Sequence, residues 1–110
     1  MCWQIHYFNS DLENSVLQLP DGLLARYLRL TDLMVEFGPH LGAPHTKALK
    51  EGLFELRIKS KEGIARVFYC TVVNKNIYML HMIIKKSQKI PKNELKVAFS
   101  RLKQVKQYGS

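Results

Sequence analysis

The sequence predicts an α+β domain with the element order β-α-α-β-β-β-α, in which a small, mostly antiparallel sheet carries an N-terminal helical hairpin on one face and a C-terminal helix. Three observations predict this order. Residues 10–37 hold two segments with helical spacing of apolar residues, residues 53–86 read as three strands joined by tight turns, and residues 91–105 return to helical spacing. The 110 residues, 46% of them hydrophobic, fit one domain that spans residues 1–110.

The N-terminal third predicts one strand and two helices. Trp3–Phe8 is an aromatic and branched stretch typical of a strand, and Ser10–Glu13 is a capping-box pattern that begins a helix ending at Pro20. Asp21 is predicted to cap a second helix, which Gly38 and Pro39 end. The apolar positions that we assign to the buried side of this helix are Leu24, Tyr27, Leu28, Thr31, Met34 and Val35.

The remaining two thirds predict a long loop over residues 38–52, three strands and a last helix. The strands are Leu53–Lys59, Ile64–Val73 and Ile77–Lys86, and the third has a nearly continuous apolar run that predicts a central position in the sheet. Pro91 suits the first position of the last helix, where its missing N–H is not needed. That helix has an apolar stripe of Leu95, Ala98, Phe99, Leu102 and Val105.

The charge is divided unevenly along the chain. Residues 1–46 hold two basic and five acidic side chains, a net charge of −3, whereas residues 47–110 hold 15 basic and four acidic side chains, a net charge of +11. Many of these cations lie on predicted neighbouring strands and on the last helix, so we expect them to share one surface. A focused positive surface on a small domain indicates a polyanionic partner, most often a nucleic acid.

Several classes of protein are not favoured by this sequence. Cys2 and Cys70 are too few for a disulfide framework and fit a reducing compartment. No apolar run approaches the roughly 20 residues of a membrane span, so we expect a cytoplasmic protein without a membrane partner. The sequence has no Cys-x-x-Cys pattern, no metal-binding histidine spacing and no glycine-rich phosphate loop, so we expect neither a metal nor a small-molecule cofactor.

The predicted strands place cations on one face of the sheet. If the helices cover Phe54, Leu56 and Ile58, then Arg57 and Lys59 project from the opposite face. Arg66 joins them if the hairpin register places it opposite Arg57. Further cations, Lys85, Lys86 and Lys89, lie at the end of the third strand or just beyond it. Converging arginines and lysines form a cradle for phosphate groups, although basic residues at alternate strand positions are also typical of a plain solvated face.

Such a cluster contains the parts of a metal-independent ribonuclease. RNA supplies its own nucleophile, the 2′-OH, and cleavage needs a base, cations that stabilise the phosphorane and an acid for the leaving 5′-oxygen. Clustered lysines depress one another's proton affinity, so one of them could serve as the base. His45, in the loop before the basic strands, could act as the acid or be an ordinary loop residue. His6 and His81 lie on predicted strands and are interpreted as structural.

Phe68 is the aromatic residue predicted to lie on the same face as Arg66. On that face its ring could stack on an RNA base, and the alternative is packing in the core. For Lys61, Lys75, Lys103 and Lys106, which lie in turns or near the chain end, a solvated surface position is the preferred interpretation.

Three segments resemble motifs of the RelE/ParE toxin superfamily, specifically its phage-derived, HigB-like branch. Residues 44–57 (PHTKALKEGLFELR) resemble P-x-x-K-x-L-x-x-G-L-W-E-L-R, and residues 63–69 (GIARVFY) resemble G-x-x-R-x-x-Y. Residues 80–91 (LHMIIKKSQKIP) are similar to L-H-x-F-x-K-K-T-x-K-T-P. The chain departs from these motifs at Phe54, Ile83, Ser87 and Ile90.

The resemblance implies a RelE-like fold and the toxin of a type II toxin–antitoxin pair that cleaves mRNA in the ribosome without a metal. The implied partners are the ribosome, mRNA and a cognate antitoxin, usually a helix-turn-helix protein. The implied catalytic residues are Arg57, Arg66, Lys85 and Lys86, and the expected RNA-binding residues are Lys59, Lys89, Lys92, Phe68 and His45. Founding members use a tyrosine on the last helix as the base, and the last helix here has only Tyr108.

Two alternatives stay open at this point. On the same fold, a ParE-like protein would inhibit DNA gyrase without cutting RNA, and a basic RNA- or ribosome-binding module would have no catalytic activity. Under the ribonuclease hypothesis, Arg66→Ala is expected to abolish toxicity and to leave folding and antitoxin binding intact.

Overall fold

The computed structural model describes residues 2–85 and 89–109, with only the backbone of Lys85 and Tyr108. Its elements, in chain order, are β1 (Gln4–Tyr7), α1 (Ser10–Leu17), α2 (Asp21–Phe37), β2 (Thr46–Ala48), β3 (Phe54–Ser60), β4 (Gly63–Val72), β5 (Asn76–Lys85) and α3 (Lys92–Gly109).

The strands form one sheet in the order β1-β5-β4-β3-β2. β1 pairs in parallel with β5, and every other pair is antiparallel, so the predicted α+β fold and mostly antiparallel sheet are confirmed. β4, rather than β5, is the middle strand, and its residues 65–70 are all buried. β5 is an interior strand because β1 pairs along its other side.

The helical hairpin α1–α2 covers one face of the sheet, which we call the first face. Leu56 and Ile58 of β3 belong to the core on this face, where β3 packs against α2, so they are covered by the hairpin as predicted. The buried stripe of α2 is Leu23, Tyr27, Leu30, Thr31 and Met34, and it replaces the predicted Leu28, which is 47% exposed. The stripe's main positions, 23, 27, 30 and 34, follow the i, i+4, i+7, i+11 spacing that keeps one helix face against a core.

The two N-terminal helices obtain their caps from unexpected residues. Asn9, one residue before the predicted cap, accepts a 2.8 Å hydrogen bond from the Leu12 N–H at the start of α1. α2 has no cap from its own preceding residue, Pro20. Instead the Glu62 carboxylate, in the β3–β4 turn, accepts bonds from the N–H groups of Gly22 (2.7 Å) and Leu23 (3.2 Å).

α3 covers part of the opposite face, which we call the second face. Its Ala98, Leu102 and Val105 pack on the sheet in a second core. The sheet residues of this core include Leu53, Phe68, Cys70, Leu80 and Ile83. The second face is therefore not wholly open, because the apolar stripe predicted on the last helix is buried against β4 and β5.

A β-bulge interrupts the pairing of β4 with β5. Phe68 pairs with His81 and Tyr69 pairs with Met79, so Leu80 is the extra residue. Leu80 belongs to the core under α3, and the His81 ring stacks on Phe68 of the same core. The bulge therefore places two successive residues on the second face.

A short strand, β2, lies inside the segment predicted as a loop over residues 38–52. Its three residues pair with Phe54–Leu56 at the sheet edge. A strand of this length shows no usable alternation in the sequence, so only the pairing partner reveals it. Among the described residues, no helix combines the length and the apolar character that a membrane crossing requires.

Candidate functional site

The register of three strands groups the predicted cations on the second face. Arg57 of β3 lies directly opposite Arg66 of β4, and Lys59 lies opposite Ile64. Lys47 of β2 lies opposite Glu55. Because directly paired residues share a face, Lys47, Arg57, Lys59 and Arg66 form one surface, which we call the cationic patch, with Glu55 as its carboxylate.

A buried carboxylate organises the two arginines of the patch. Glu55 Oε1 lies 2.8 Å from Arg66 Nη1 and 3.9 Å from Arg57 Nε. The side chains of Glu55 and Arg66 are each 2% exposed, whereas that of Arg57 is 40% exposed. The three groups together keep one net positive charge, and Arg57 is the member that presents it to solvent.

The structure therefore separates the roles that the sequence analysis gave to Arg57 and Arg66. The predicted cross-strand register is confirmed, and it brings the two residues together. Arg66, however, is buried in an ion pair with Glu55, and removal of one partner from a buried pair is strongly destabilising. We therefore now expect Arg66→Ala to destabilise the fold, in place of the earlier expectation that folding stays intact.

The lysines predicted for the site lie at different places around the patch. Lys59 is exposed at its end, and the backbone of Lys85 is in the same cross-strand row, through Ile64. Lys89 and Lys92 are exposed, and Lys92 is the first residue of α3. Lys86 lies outside the described residues.

His45 adjoins the patch, whereas Phe68 does not take part in its surface. The His45 carbonyl accepts a 2.8 Å hydrogen bond from the Arg57 N–H, and the residue is partly exposed. Phe68 is on the same face as Arg66, as predicted, but its exposed fraction is 0% because α3 covers it. The stacking interpretation of Phe68 is contradicted, and the core alternative is correct.

Two further features of this face were not predicted as part of the site. Lys47 is exposed and extends the patch onto β2. The His81 imidazole Nε2 lies 2.5 Å from Glu94 Oε2 on the first turns of α3, with the side chains 18% and 31% exposed. Lys47 could have been found from its place in the P-x-x-K motif. The residue pattern contains no signal that predicts the bulge, which turns His81 to this face.

The thiol of Cys70 and the phenol of Tyr69 are buried, and burial favours their protonated forms. Burial raises the pKa of Cys70 to about 11, an effect that Lys106 partly offsets. Burial also raises the pKa of Tyr69 well above its ordinary value, and its hydroxyl donates to the Pro39 carbonyl at 2.7 Å. Arg57, Lys59 and Lys47 present positive charge on the same face and can bind an anion there.

The comparisons with known proteins add a family to this geometry. No curated protein matches the chain. Residues 14–103 match the family described as Phage derived protein Gp49-like (DUF891). The match includes both N-terminal helices from residue 14 onward, all of β2–β5 and most of α3. Because it covers well over half of the 110 residues, the chain belongs to the phage-derived Gp49-like family.

Proposed function

We propose that this protein is the toxin of a type II toxin–antitoxin system, a RelE/HigB-like endoribonuclease that cleaves mRNA on the ribosome. The partners in this proposal are the ribosome with its mRNA and a cognate antitoxin, in this branch usually a helix-turn-helix protein. The three sequence motifs support it, together with membership of a phage-derived family whose members are associated with RelE and other toxin-like proteins.

The observation that carries the proposal is the half-exposed Arg57 above a buried carboxylate. Glu55, which pairs with Arg66, also lies 3.9 Å from Arg57 Nε, so a buried carboxylate neighbours the Arg57 side chain while its charge faces solvent. Lys59 and Lys47 flank it on the same face. A positioned guanidinium with flanking ammonium groups is suited to a phosphodiester, because it can pair with two non-bridging oxygens at once.

In the proposed reaction the 2′-oxygen of the RNA attacks the adjacent phosphorus atom. Arg57 stabilises the additional negative charge of the phosphorane, and the lysines hold the flanking phosphates. The 5′-oxygen leaves, and the products are a 2′,3′-cyclic phosphate and a 5′-hydroxyl end. No redox change and no further co-reactant is needed, because one proton leaves the 2′-hydroxyl and one is delivered to the 5′-oxygen.

The test is controlled expression in bacteria, with growth followed and RNA 5′ ends mapped after induction. We expect growth arrest with new cuts inside translated reading frames, and loss of these cuts when translation is blocked. Arg57→Ala is expected to lower cleavage by about 10²–10³-fold, the usual cost of one transition-state charge donor, while the free energy of unfolding changes by less than about 0.5 kcal/mol.

Arg29→Ala is the matched control, because it removes the same side chain from an exposed position on α2. It should cleave like the wild type. Arrest with intact mRNA and a DNA-damage response would replace the proposal with gyrase inhibition. Salt-dependent RNA binding without cleavage or arrest would leave a binding module.

A further inference from the structure

His81 is held on the second face by the bulge in β5. Leu80 is the inserted residue, so His81 pairs with Phe68 and its ring stacks on the Phe68 ring with centroids 6.4 Å apart. Bulges commonly re-aim one side chain near functional sites. Here the bulge turns an imidazole toward the N-terminal turns of α3.

Glu94 orients this imidazole and selects its tautomer. The contact joins Nε2 of His81 to Oε2 of Glu94 at 2.5 Å. A carboxylate can only accept, so Nε2 carries the proton that is shared with Glu94, and the lone pair of the neutral ring lies on Nδ1. An imidazole whose far nitrogen is held by a carboxylate is the usual arrangement of a general base.

The pair lies at the border of the cationic patch. Arg66 pairs with Ile83, which is two residues along β5 from His81. Arg66 and His81 are therefore diagonal neighbours, about 7–8 Å apart between Cα atoms. Arg66 itself is buried, so RNA bound at Arg57 would have to pass over it to bring a 2′-hydroxyl to the His81 side chain, which is 18% exposed.

His81 also lines a small cavity between α1 and α3. It has a volume of about 240 Å³, and its polar lining includes Asn9, Asp11 and Ser15 around α1 and Arg101 of α3. The charged groups around the imidazole are thus Glu94 and Arg101 on α3, Asp11 on α1 and Arg66 on β4. Arg101 donates a 2.8 Å hydrogen bond to the Leu80 carbonyl, so it also holds the bulge.

We propose that His81 is the general base of the proposed ribonuclease and that Glu94 is its positioning residue. Nδ1 of His81 takes the proton of the 2′-hydroxyl as the new bond from the 2′-oxygen to phosphorus forms. The bond from phosphorus to the 5′-oxygen breaks, and the 5′-oxygen takes a proton from solvent water. This inference rests on the proposed function and names a base for its reaction in place of a clustered lysine.

His6 serves as the control for His81, because it makes comparable contacts away from the cationic patch. His6 of β1 also makes a side-chain hydrogen bond, 2.9 Å from Nε2 to Asn76 Oδ1, and also stacks on a ring, that of Tyr78. It lies on the edge strand, across β5 from β4 and β3, which carry the patch arginines. His6→Gln therefore removes a comparable set of contacts without affecting the proposed base.

The experiment measures single-turnover mRNA cleavage on purified ribosomes as a function of pH, with folding of each variant checked by urea unfolding. We expect His81→Gln to lower the rate by about 10²–10⁴-fold and to remove the fall in rate toward acid pH where imidazoles become protonated. Glu94→Gln should lower the rate less, and His6→Gln should leave the rate and its pH profile unchanged. Added imidazole should partly restore His81→Ala, because the neighbouring cavity gives it access.

Different results would overturn the proposed ribonuclease function and the role of His81 in it. Absence of cleavage by the wild-type protein would overturn the proposed function itself. Cleavage by a folded His81→Gln variant at the wild-type rate and with the wild-type pH profile would overturn only the role of His81. A profile that instead loses its acid limb in His45→Gln would assign the base to His45 and would also overturn the inference.

Discussion

The two faces of the sheet are filled in different ways. The first face is apolar from β3 to β5 and is sealed by α1 and α2. The second face is apolar only under α3, and toward β2 and β3 it carries the cationic patch with a buried Glu55–Arg66 pair. Three successive residues of β3 show the difference: Glu55 is a buried charge, Leu56 is in the first core, and Arg57 is a half-exposed cation. On the second face, therefore, an exposed cation lies beside a buried ion pair, whereas the first face is filled by apolar side chains alone at these positions.

The largest expected effect is on the buried pair. Glu55→Ala leaves the Arg66 guanidinium buried beside Arg57 without its carboxylate, and we expect a loss of about 3–5 kcal/mol in the free energy of unfolding. Urea unfolding of the purified protein measures it. If the second face tolerated charge as an ordinary solvated surface does, the loss would stay below about 1 kcal/mol.

A double variant sharpens this prediction. Replacing both members of the pair by apolar residues of similar volume, as in Glu55→Leu with Arg66→Met, should cost less than Glu55→Ala alone, because no uncompensated charge remains. The same variant should still lose cleavage activity, since Arg57 then lacks the neighbouring Glu55 carboxylate. If the losses of Glu55→Leu and Arg66→Met measured separately added up to the loss of the double variant, the two side chains would not stabilise the fold as a pair.

The next prediction concerns the part of the second face under α3 and asks whether it excludes solvent as the first face does. Burial raises the pKa of Cys70 from 9.0 to about 11, so the neutral thiol is favoured in the folded protein. Its contribution to stability is complete below about pH 9 and is lost as the pH rises toward 11, by at most about 1.4 kcal/mol per pH unit. In Cys70→Ala, the free energy of unfolding should therefore fall less between pH 9 and 10 than in the wild type. This range lies below the pH at which the buried tyrosines titrate.

Thiol labelling is the independent measurement for Cys70. Cys2 is exposed and should react at once with a disulfide reagent at neutral pH, whereas Cys70 should react only when the protein unfolds. Fast labelling of both thiols in the folded protein would mean that α3 does not seal this part of the sheet.

The smallest effect concerns the connection between the first-face helices and the sheet. Glu62→Gln keeps an acceptor oxygen but removes the charge at the start of α2, and Glu62→Ala removes both. We expect losses of about 0.5 and about 1 kcal/mol, respectively, measured by thermal unfolding. Lys61→Ala, in the same turn, is the control and should be neutral. Equal stability of all three variants would contradict the cap.

The sequence was sufficient for the α+β class, the three helices and the three long strands β3, β4 and β5, because their apolar periodicities are regular, but not for the short strand β2. It was insufficient for Phe68, which is buried under α3, and for Arg66, which is buried in its ion pair with Glu55. It also did not predict the Leu80 bulge, since one inserted residue in an apolar strand does not change the hydrophobic pattern. Periodicity reports the face on which a side chain lies and not what lies above it.

The parallel pairing of β1 with β5 has a consequence for the order of folding. Gln4–Tyr7 precedes the other elements of the described residues, yet it pairs in the sheet with Asn76–Lys85, about 70 residues later. The α2 cap has the same property, because Glu62 is 40 residues from Gly22. A nascent chain therefore cannot complete its native sheet until β5 has left the ribosomal exit tunnel, and such long-range closure is slow. Under the proposed function, synthesis of the polypeptide would therefore precede its cleavage activity by the time that this closure takes.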